Sequence, residues 1–174
     1  MRLIAVLFVV LCFTACDSLS PVDSTEEEQE KEEAPSPSES HLVSLVNAAR
    51  TTARSCGSSQ HSATSLVTWN SKLAQAAQSH SEDMAIGDFF SHTGSDGSTV
   101  ANRVTETSYS WQTVGENIYA GFTEAERAMT AWLESPGHCR NIMDPDFKEV
   151  GMAVVASSTS TYNSYWTQVF GSRR

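Results

Sequence analysis

The sequence predicts a single layered α+β domain, and three observations lead to that fold class. Apolar residues recur at helical spacing in three separate stretches of the chain. Two runs rich in β-branched and aromatic residues, at 150–155 and 165–170, close the chain as strands. The 134 residues from 41 to 174 are enough for one hydrophobic core, and no internal repeat divides them. Helices packed on a small antiparallel sheet would bury the apolar faces of both kinds of element.

The first 15 residues are predicted to be a lipoprotein signal peptide rather than part of the fold. One charge, Arg2, precedes an apolar run at 3–13 that is too short to span a membrane as a mature helix. The run ends in small residues before Cys16, as in a bacterial lipobox, so Cys16 is the predicted lipidation site. The alternative is an ordinary cleaved signal with an incidental Cys16. Several acyl chains on one cysteine would anchor the protein stably.

Residues 16–39 are predicted to form the lipidated cysteine and a disordered tether, which leaves residues 40–174 as the domain. The stretch at 26–33 is almost entirely Glu, and Pro-Ser-Pro-Ser follows it. The chain has a formal net charge of −10, but from His41 onward nine basic residues stand against twelve acidic ones, a net of −3. Because no basic stripe remains, nucleic acid is excluded as a partner.

The four cysteines divide into two groups. Cys12 and Cys16 lie in the leader, whereas Cys56 and Cys139 lie in the exported domain. An even pair in an oxidising compartment predicts a disulfide, and two free buried thiols are the alternative. The bridge would close a loop of roughly 84 residues and add up to ~4 kcal/mol of stability in the chain-entropy model.

The first half of the domain is predicted to be helical. One amphipathic helix ends before Gly57, and a second opens at residues 69–71 and closes at Gly87. A short helix at about 99–104 follows a polar turn cluster. The inward positions of the two long helices are Leu42, Leu45, Val46, Ala49, Leu73, Ala76, Ala77, His80 and Met84. His80 is therefore predicted to be a structural histidine of the core.

The second half alternates strands and helices. A strand at 114–120 carries Glu116, and a long helix starts near residue 122, with Thr123 as the predicted N-cap and Glu126 completing a capping box. Pro136 fits the first position of a further short helix, with Ser135 as its N-cap. The Ser/Thr/Asn-rich segment between the two closing strands is a hairpin loop.

Four side chains form the candidate site: His92, Glu116, Glu134 and His138. Two imidazoles can bind one divalent metal ion, so His92 and His138 are the candidate metal ligands. Two carboxylates can orient imidazoles or handle protons, so Glu116 and Glu134 are the candidate bases if the site is catalytic. The four lie on elements far apart in sequence, and spacing alone favours separate structural roles for them.

His138 has a local reason to be a ligand. It falls in the first turn of the helix that begins at Pro136. A helix N-terminus disfavours added positive charge, so the imidazole should stay neutral, which is the form that binds metal. Cys139 follows directly, and the predicted disulfide would fasten this turn to the loop after the first helix.

Three motifs give the chain a family resemblance. Phe-Ser-His at 90–92, Gly-Glu-Asn-Ile at 115–118 and Ser-Pro-Gly-His at 135–138, continued by Asn-Ile-Met at 141–143, resemble those of the CAP superfamily. This superfamily of SCP-like domains includes cysteine-rich secretory proteins, insect venom antigen 5 and plant pathogenesis-related proteins. The likeness covers about residues 41–171 and is closest to bacterial exported members.

The resemblance implies an α-β-α sandwich with a three-stranded antiparallel sheet and a shallow surface cleft. The family's cleft tetrad of two His and two acidic residues falls on His92, Glu116, Glu134 and His138. Glu134 stands only four residues before His138, a shorter connection than in animal and plant members. In several members the two His bind zinc or another divalent ion, and the acidic pair orients them or contacts water.

Three functions are compatible with these features. The first, which we favour, is a membrane-anchored extracytoplasmic binding module with a divalent-metal cleft and a small apolar ligand or peptide. The second is a metal-dependent peptidase or esterase with Glu116 or Glu134 as general base. The third is an envelope-interaction protein whose tetrad only stabilises the fold. All three place the protein on the periplasmic or cell-surface side of a bacterial membrane, held through Cys16.

Overall fold

The computed structural model describes residues 37–174, so the predicted signal peptide, Cys16 and most of the tether lie outside the described residues. Within this range the chain forms five helices and six strands. In order they are α1 (Pro37–Arg50), β1 (Arg54–Cys56), β2 (Ser59–His61), β3 (Thr68–Trp69), α2 (Ser71–Gly87), α3 (Val100–Glu106), β4 (Trp111–Ala120), α4 (Ala125–Glu134), α5 (Pro136–Met143), β5 (Glu149–Ala156) and β6 (Ser164–Arg173). Residues 37–39, assigned above to the tether, belong to α1.

One sheet organises the domain, with the strand order β3-β5-β6-β4. β6 lies between β5 and β4 and pairs antiparallel with both. The two-residue β3 adds to β5 in parallel, opposite Glu149 and Val150. The predicted three-stranded antiparallel sheet is therefore confirmed, and β3 is an addition that the sequence did not predict.

Helices cover both faces of this sheet. Alternate residues of β6 point to opposite faces, as strand geometry requires. Val169 packs with Leu73 and Ala76 of α2, while Phe170 packs in the larger cluster that also holds Trp132 of α4 and residues of α1 and α5. The α-β-α layering confirms the predicted fold class.

The start of α4 differs from the prediction. The helix begins at Ala125 with Glu124 at the N-cap and no side-chain capping bond, so Thr123 is not its cap. The carbonyl of Phe122 instead accepts a hydrogen bond from Trp166 Nε1 at 2.9 Å. The first main-chain acceptor of the helix is the carbonyl of Glu124, to which Arg127 N and Ala128 N donate at 3.1 and 3.4 Å, so the helix begins one residue later than predicted. The predicted start of α5 is confirmed, because Ser135 is its N-cap and Pro136 its first residue. The Ser135 side chain makes no capping hydrogen bond.

The predicted disulfide joins Cys56 to Cys139, whose Cα atoms are 5.4 Å apart. Cys56 ends β1, which turns at Gly57 (φ +65°) into β2, a hairpin that the sequence did not predict. A Cβ on Gly57 would lie 3.0 Å from the side chain of Pro136, so the turn itself packs on the start of α5. The bridge and this turn together hold α5 at its first residues.

Arg50 holds the other end of α5. Its side chain is fully buried at the end of α1 and donates to the carbonyls of Ile142 (2.7 Å), Asp144 (2.9 Å) and Phe147 (3.1 Å). These carbonyls include groups that the helix end leaves without an intrahelical partner. α5 is therefore fixed at both ends, which matters because it carries His138.

Candidate functional site

His92 lies in the segment that follows α2, and His80 holds that segment in place. The His80 ring is fully buried, and its Nε2 lies 2.9 Å from the carbonyl oxygen of Ser91. A carbonyl can only accept, so Nε2 carries the proton and donates it. His80 thus fixes the main chain one residue before His92, a structural role of the kind predicted for it. Its Nδ1 has no partner among the described residues.

Glu116 on β4 is the buried centre of the site. Its Oε1 accepts from His92 Nδ1 at 2.8 Å, and its Oε2 accepts from an Arg103 Nη at 2.7 Å. Arg103, on α3, also donates to the carbonyl of His92 at 3.1 Å. The Arg103 and Glu116 side chains are 7% and 3% exposed, so water screens this ion pair poorly.

This arrangement sets the tautomer of His92. A carboxylate beside an arginine accepts hydrogen bonds, so His92 Nδ1 carries the proton. The Nε2 lone pair is then free for a ligand. An imidazole whose remote N–H donates to a carboxylate is the usual state of a metal-binding histidine.

His138, on α5, lies beside the His92 ring. Asn117 Nδ2 donates to the carbonyl of His138 at 3.2 Å, and Asn141 Nδ2 donates to the carbonyl of Glu116 at 3.0 Å and to Asn117 Oδ1 at 2.9 Å. These amide contacts join α5 directly to β4. The ring centroids of His92 and His138 lie 6.4 Å apart.

Burial lowers the pKa of the His138 imidazole, and the neighbouring His92 ring lowers that pKa further. The neutral form is the one predicted from the sequence, although burial rather than the helix terminus is the main cause. A neutral ring is available as a metal ligand.

His92 and His138 are the described side chains that could share a metal ion. Two imidazoles that share one zinc at Zn–N distances of about 2.0–2.1 Å have centroids roughly 5–6 Å apart, so the observed rings need only a small approach. Within residues 37–174 no group of three or more His, Cys, Asp or Glu side chains could hold a metal. A metal ion held by this pair would have to take its remaining ligands from water or from a bound molecule.

An apolar pocket adjoins His138. Its volume is about 240 Å³, and we call it the His138 pocket. Three exposed or half-buried aromatic rings line it, and the Phe90 and Tyr162 rings contact each other at a centroid distance of 5.9 Å. Its lining residues are Phe90, Ile118, Tyr119, Ala120, Ala131, Trp132, Ser135, His138 and Tyr162. The space suits one side chain or a similarly small apolar group.

Glu134 does not join the other three predicted residues. It ends α4 with an exposed side chain and lines a neighbouring groove with Phe122 and Arg127, which shares Tyr119 and Ala131 with the His138 pocket. No hydrogen bond or ion pair among the described residues links it to His92, Glu116 or His138. The structure thus brings together three of the four candidates and adds Arg103 and His80.

Arg103 is the residue that sequence reasoning missed. No sequence pattern marks Arg103, since it is a solitary basic residue between Lys72 and Arg127 and belongs to none of the three motifs. A lone cation on a short helix is usually solvated. Only the fold brings this one against a buried carboxylate.

Comparison with known proteins defines the family. The model of the family described as "CAP: Cysteine-rich secretory protein family" matches residues 43–170. The chain therefore belongs to this family.

Several bacterial proteins are similar to it. YkwD of Bacillus subtilis, itself uncharacterised, is 33% identical over 98 residues, which cover 56% of this chain and 36% of YkwD. The membrane protein YlbC of the same organism is 30% identical over 59% of this chain and 28% of its own length. The chain thus spans about a third of the curated relatives it matches.

Solved structures agree with this family. An extracellular protein with an SCP domain from Bacillus anthracis is 30% identical, with a TM-score of 0.55 over 64% of this chain and 35% of that protein. An outer surface protein of Borrelia burgdorferi has a TM-score of 0.61 at 18% identity, over 78% and 89% of the two chains, and shows a shared fold. NaASP2, whose structure was determined with Zn²⁺, has a TM-score of 0.55 at 16% identity, over 80% and 84%, and likewise shows the fold alone. No helix within residues 37–174 of this chain is long and apolar enough to cross a membrane.

Proposed function

We propose that this protein is an exported, lipid-anchored binding module in which His92 and His138 hold a divalent metal ion such as zinc. The observation that carries the proposal is the chain of contacts from Arg103 through Glu116 to His92 Nδ1, with distances of 2.7 and 2.8 Å. It leaves His92 Nε2 as the free nitrogen, and His138 lies beside that ring with its pKa lowered by burial.

The ligand would occupy the His138 pocket next to the metal. A bound divalent ion would offer open positions to a ligand oxygen. The aromatic rings of Phe90 and Tyr162 would contact an apolar group of that ligand. A small apolar ligand, or a peptide side chain with a nearby oxygen, would fill the pocket and also coordinate the metal ion.

Binding is favoured over hydrolysis because the buried carboxylate of the set, Glu116, already orients His92 and pairs with Arg103. Both oxygens of Glu116 already accept hydrogen bonds, from His92 and Arg103, and the side chain is 3% exposed. Glu134 lines the neighbouring groove and makes no hydrogen bond or ion pair to His92 or His138 among the described residues. A general base must reach the proton that it removes, directly or through one water.

The anchor rests on the leader, which lies outside the described residues. Small residues before Cys16 and the acidic tether after it support a lipoprotein held at a bacterial membrane. The similar protein of Bacillus anthracis is described as extracellular. Mass spectrometry of the protein extracted from membranes should find acyl chains on Cys16, and Cys16→Ser should release the protein. An unmodified Cys16 in the mature protein would remove the anchor from the proposal.

Calorimetric titration with zinc tests the metal site. The wild type should bind one zinc, and His92→Ala or His138→Ala should each abolish most of the heat, because two ligands are the minimum here. His41→Ala is the matched control, since this histidine is exposed on α1 and contacts Glu126 at 2.9 Å, away from the site. Equal affinity in the wild type and the double variant would end the metal proposal. In that case, a large loss of stability in Glu116→Gln would favour a purely structural role for the set.

A further inference from the structure

A groove beside α1 and α2 leaves one edge of the sheet without a strand partner. β3 pairs with β5 only at Glu149 and Val150, and the chain then turns into α2 at Ser71. β5 itself continues to Ala156. Within residues 37–174 no strand pairs with this edge of β5 beyond Val150.

The main-chain groups that face this edge can be identified. The carbonyls of Lys148 and Val150 accept from Thr68 N (3.0 Å) and Asn70 N (2.9 Å), on the β3 side. Successive residues of a strand direct their main-chain groups to opposite edges, so Met152 and Val154 also face outward. All residues of β5 have register partners on β6, and by the same alternation it is the main-chain groups of Gly151, Ala153 and Val155 that point toward β6.

The edge lies at the bottom of an apolar groove of about 580 Å³, which we call the edge groove. Its apolar lining residues include Leu42 of α1, Ala74 of α2, Trp69, Met152 and Trp166, and its polar ones include His41 of α1 and Gln75 and Gln78 of α2. These elements combine a row of hydrogen-bonding groups with apolar walls. A ligand of the edge groove must therefore pair with the main-chain groups and also contact the apolar side chains.

The chemistry of the edge groove selects an extended peptide. An acyl chain would fill the apolar space but would leave the N–H and C=O groups of Met152 and Val154 without partners. A second copy of this chain would bring its own β5 edge, which is recessed between its own α1 and α2 and would not reach. A single extended segment fits between the helices and continues the line that β3 begins.

We propose that the edge groove is a peptide-binding site in which a partner protein adds a strand beside residues 152–156. This stretch is about 13 Å long and takes four or five residues of an extended chain. Main-chain hydrogen bonds supply affinity, and alternate apolar side chains of the partner contact Trp69 and Trp166. The site does not involve His92 or His138, so it is independent of the metal proposal.

Selection from a phage-displayed library of random octapeptides tests the proposal on the purified full chain. Enriched peptides should alternate apolar and polar residues. Val154→Pro removes one outward N–H without breaking a bond to β6, and it should weaken their binding about tenfold by fluorescence anisotropy. Val154→Thr keeps the N–H and the side-chain shape, and it should bind as the wild type does.

Two further measurements keep the test valid if Val154→Pro folds poorly. N-methylation of alternate amides in a selected peptide should weaken binding by a similar factor when the methyl groups face β5. Hydrogen exchange at the amides of Met152 and Val154 should slow when that peptide is bound. The proposal is overturned if no peptide is enriched. It is also overturned if neither Val154→Pro nor N-methylation changes the affinity of a selected peptide. Self-association that Val154→Pro abolishes would identify a second copy as the occupant and would also overturn it.

Discussion

Arg103 is the residue on which the candidate site depends, although it touches no ligand. Its Nη lies 2.7 Å from Glu116 Oε2, and its side chain is 7% exposed. Removing one member of a buried ion pair leaves an uncompensated charge, so Arg103→Gln should lower the free energy of unfolding by about 3–5 kcal/mol. Urea denaturation measures this, with Arg140→Gln on the exposed face of α5 as the control. Similar losses in both variants would show that the pair does not stabilise the fold.

The same burial makes His80 a source of pH dependence. Burial lowers the pKa of its imidazole from the usual 6.5, the charge of Arg103 adds to this, and Glu116 opposes it. The unfolded chain therefore binds more protons than the folded one just below pH 6.5, and stability is lost as the pH falls. Unfolding free energies should decrease from about pH 7.5 to 5.5.

His80→Gln isolates that contribution. Its unfolding free energy should change less with pH over this range than that of the wild type, whereas His41→Gln should follow the wild type. Denaturation in urea at a series of pH values gives the slopes. Parallel curves for His80→Gln and the wild type would mean that His80 does not cause the pH dependence.

Residue-level prediction from sequence succeeded where a motif carried the residue. His92, Glu116 and His138 stand in three short motifs, and the fold brings them together. Glu134 has no such support and lies in another groove. Arg103 could not be found because its role exists only once α3 and β4 are packed together.

At the scale of elements, the contact between α2 and β5 is tighter than any sequence pattern indicates. A Cβ on Gly151 would lie 2.0 Å from Ala74 N and 2.4 Å from Leu73 C, both main-chain atoms of α2. Gly151→Ala should therefore push the helix from the sheet and cost more than about 3 kcal/mol of unfolding free energy. Gly137→Ala is the matched control, because its Cβ would meet only Arg140 Nη at 4.0 Å. Thermal and urea unfolding compare the two, and equal losses would refute the packing argument.

The long elements were predictable because their apolar periodicity is strong. β5 and β6 extend the predicted stretches by a few residues, and α2 spans the predicted one. α1 ends at Arg50, earlier than predicted, because residues 54–56 form β1 instead of a last helical turn. The short ones were not predictable, since β1, β2 and β3 contain only two or three residues each and are defined by their partners. The start of α4 differs from the prediction by one residue, because the first helical turn closes on the carbonyl of Glu124 and no side chain caps it.

At the scale of the whole molecule, the disulfide connects the beginning of the domain to the helix that carries His138. Cys56 and Cys139 are 83 residues apart in sequence and are both buried. A bridge across so long a loop restricts the unfolded chain, so Cys56→Ala with Cys139→Ala should lower the free energy of unfolding by about 4 kcal/mol. Reductant should bring the wild type to the stability of the double variant in urea denaturation, and should leave the variant unchanged.

Because Arg50 and the amides of Asn117 and Asn141 still hold α5, the double variant should keep its fold and bind zinc more weakly rather than not at all. A wild type that is insensitive to reductant, with two free thiols by mass, would contradict the expected role of the bridge.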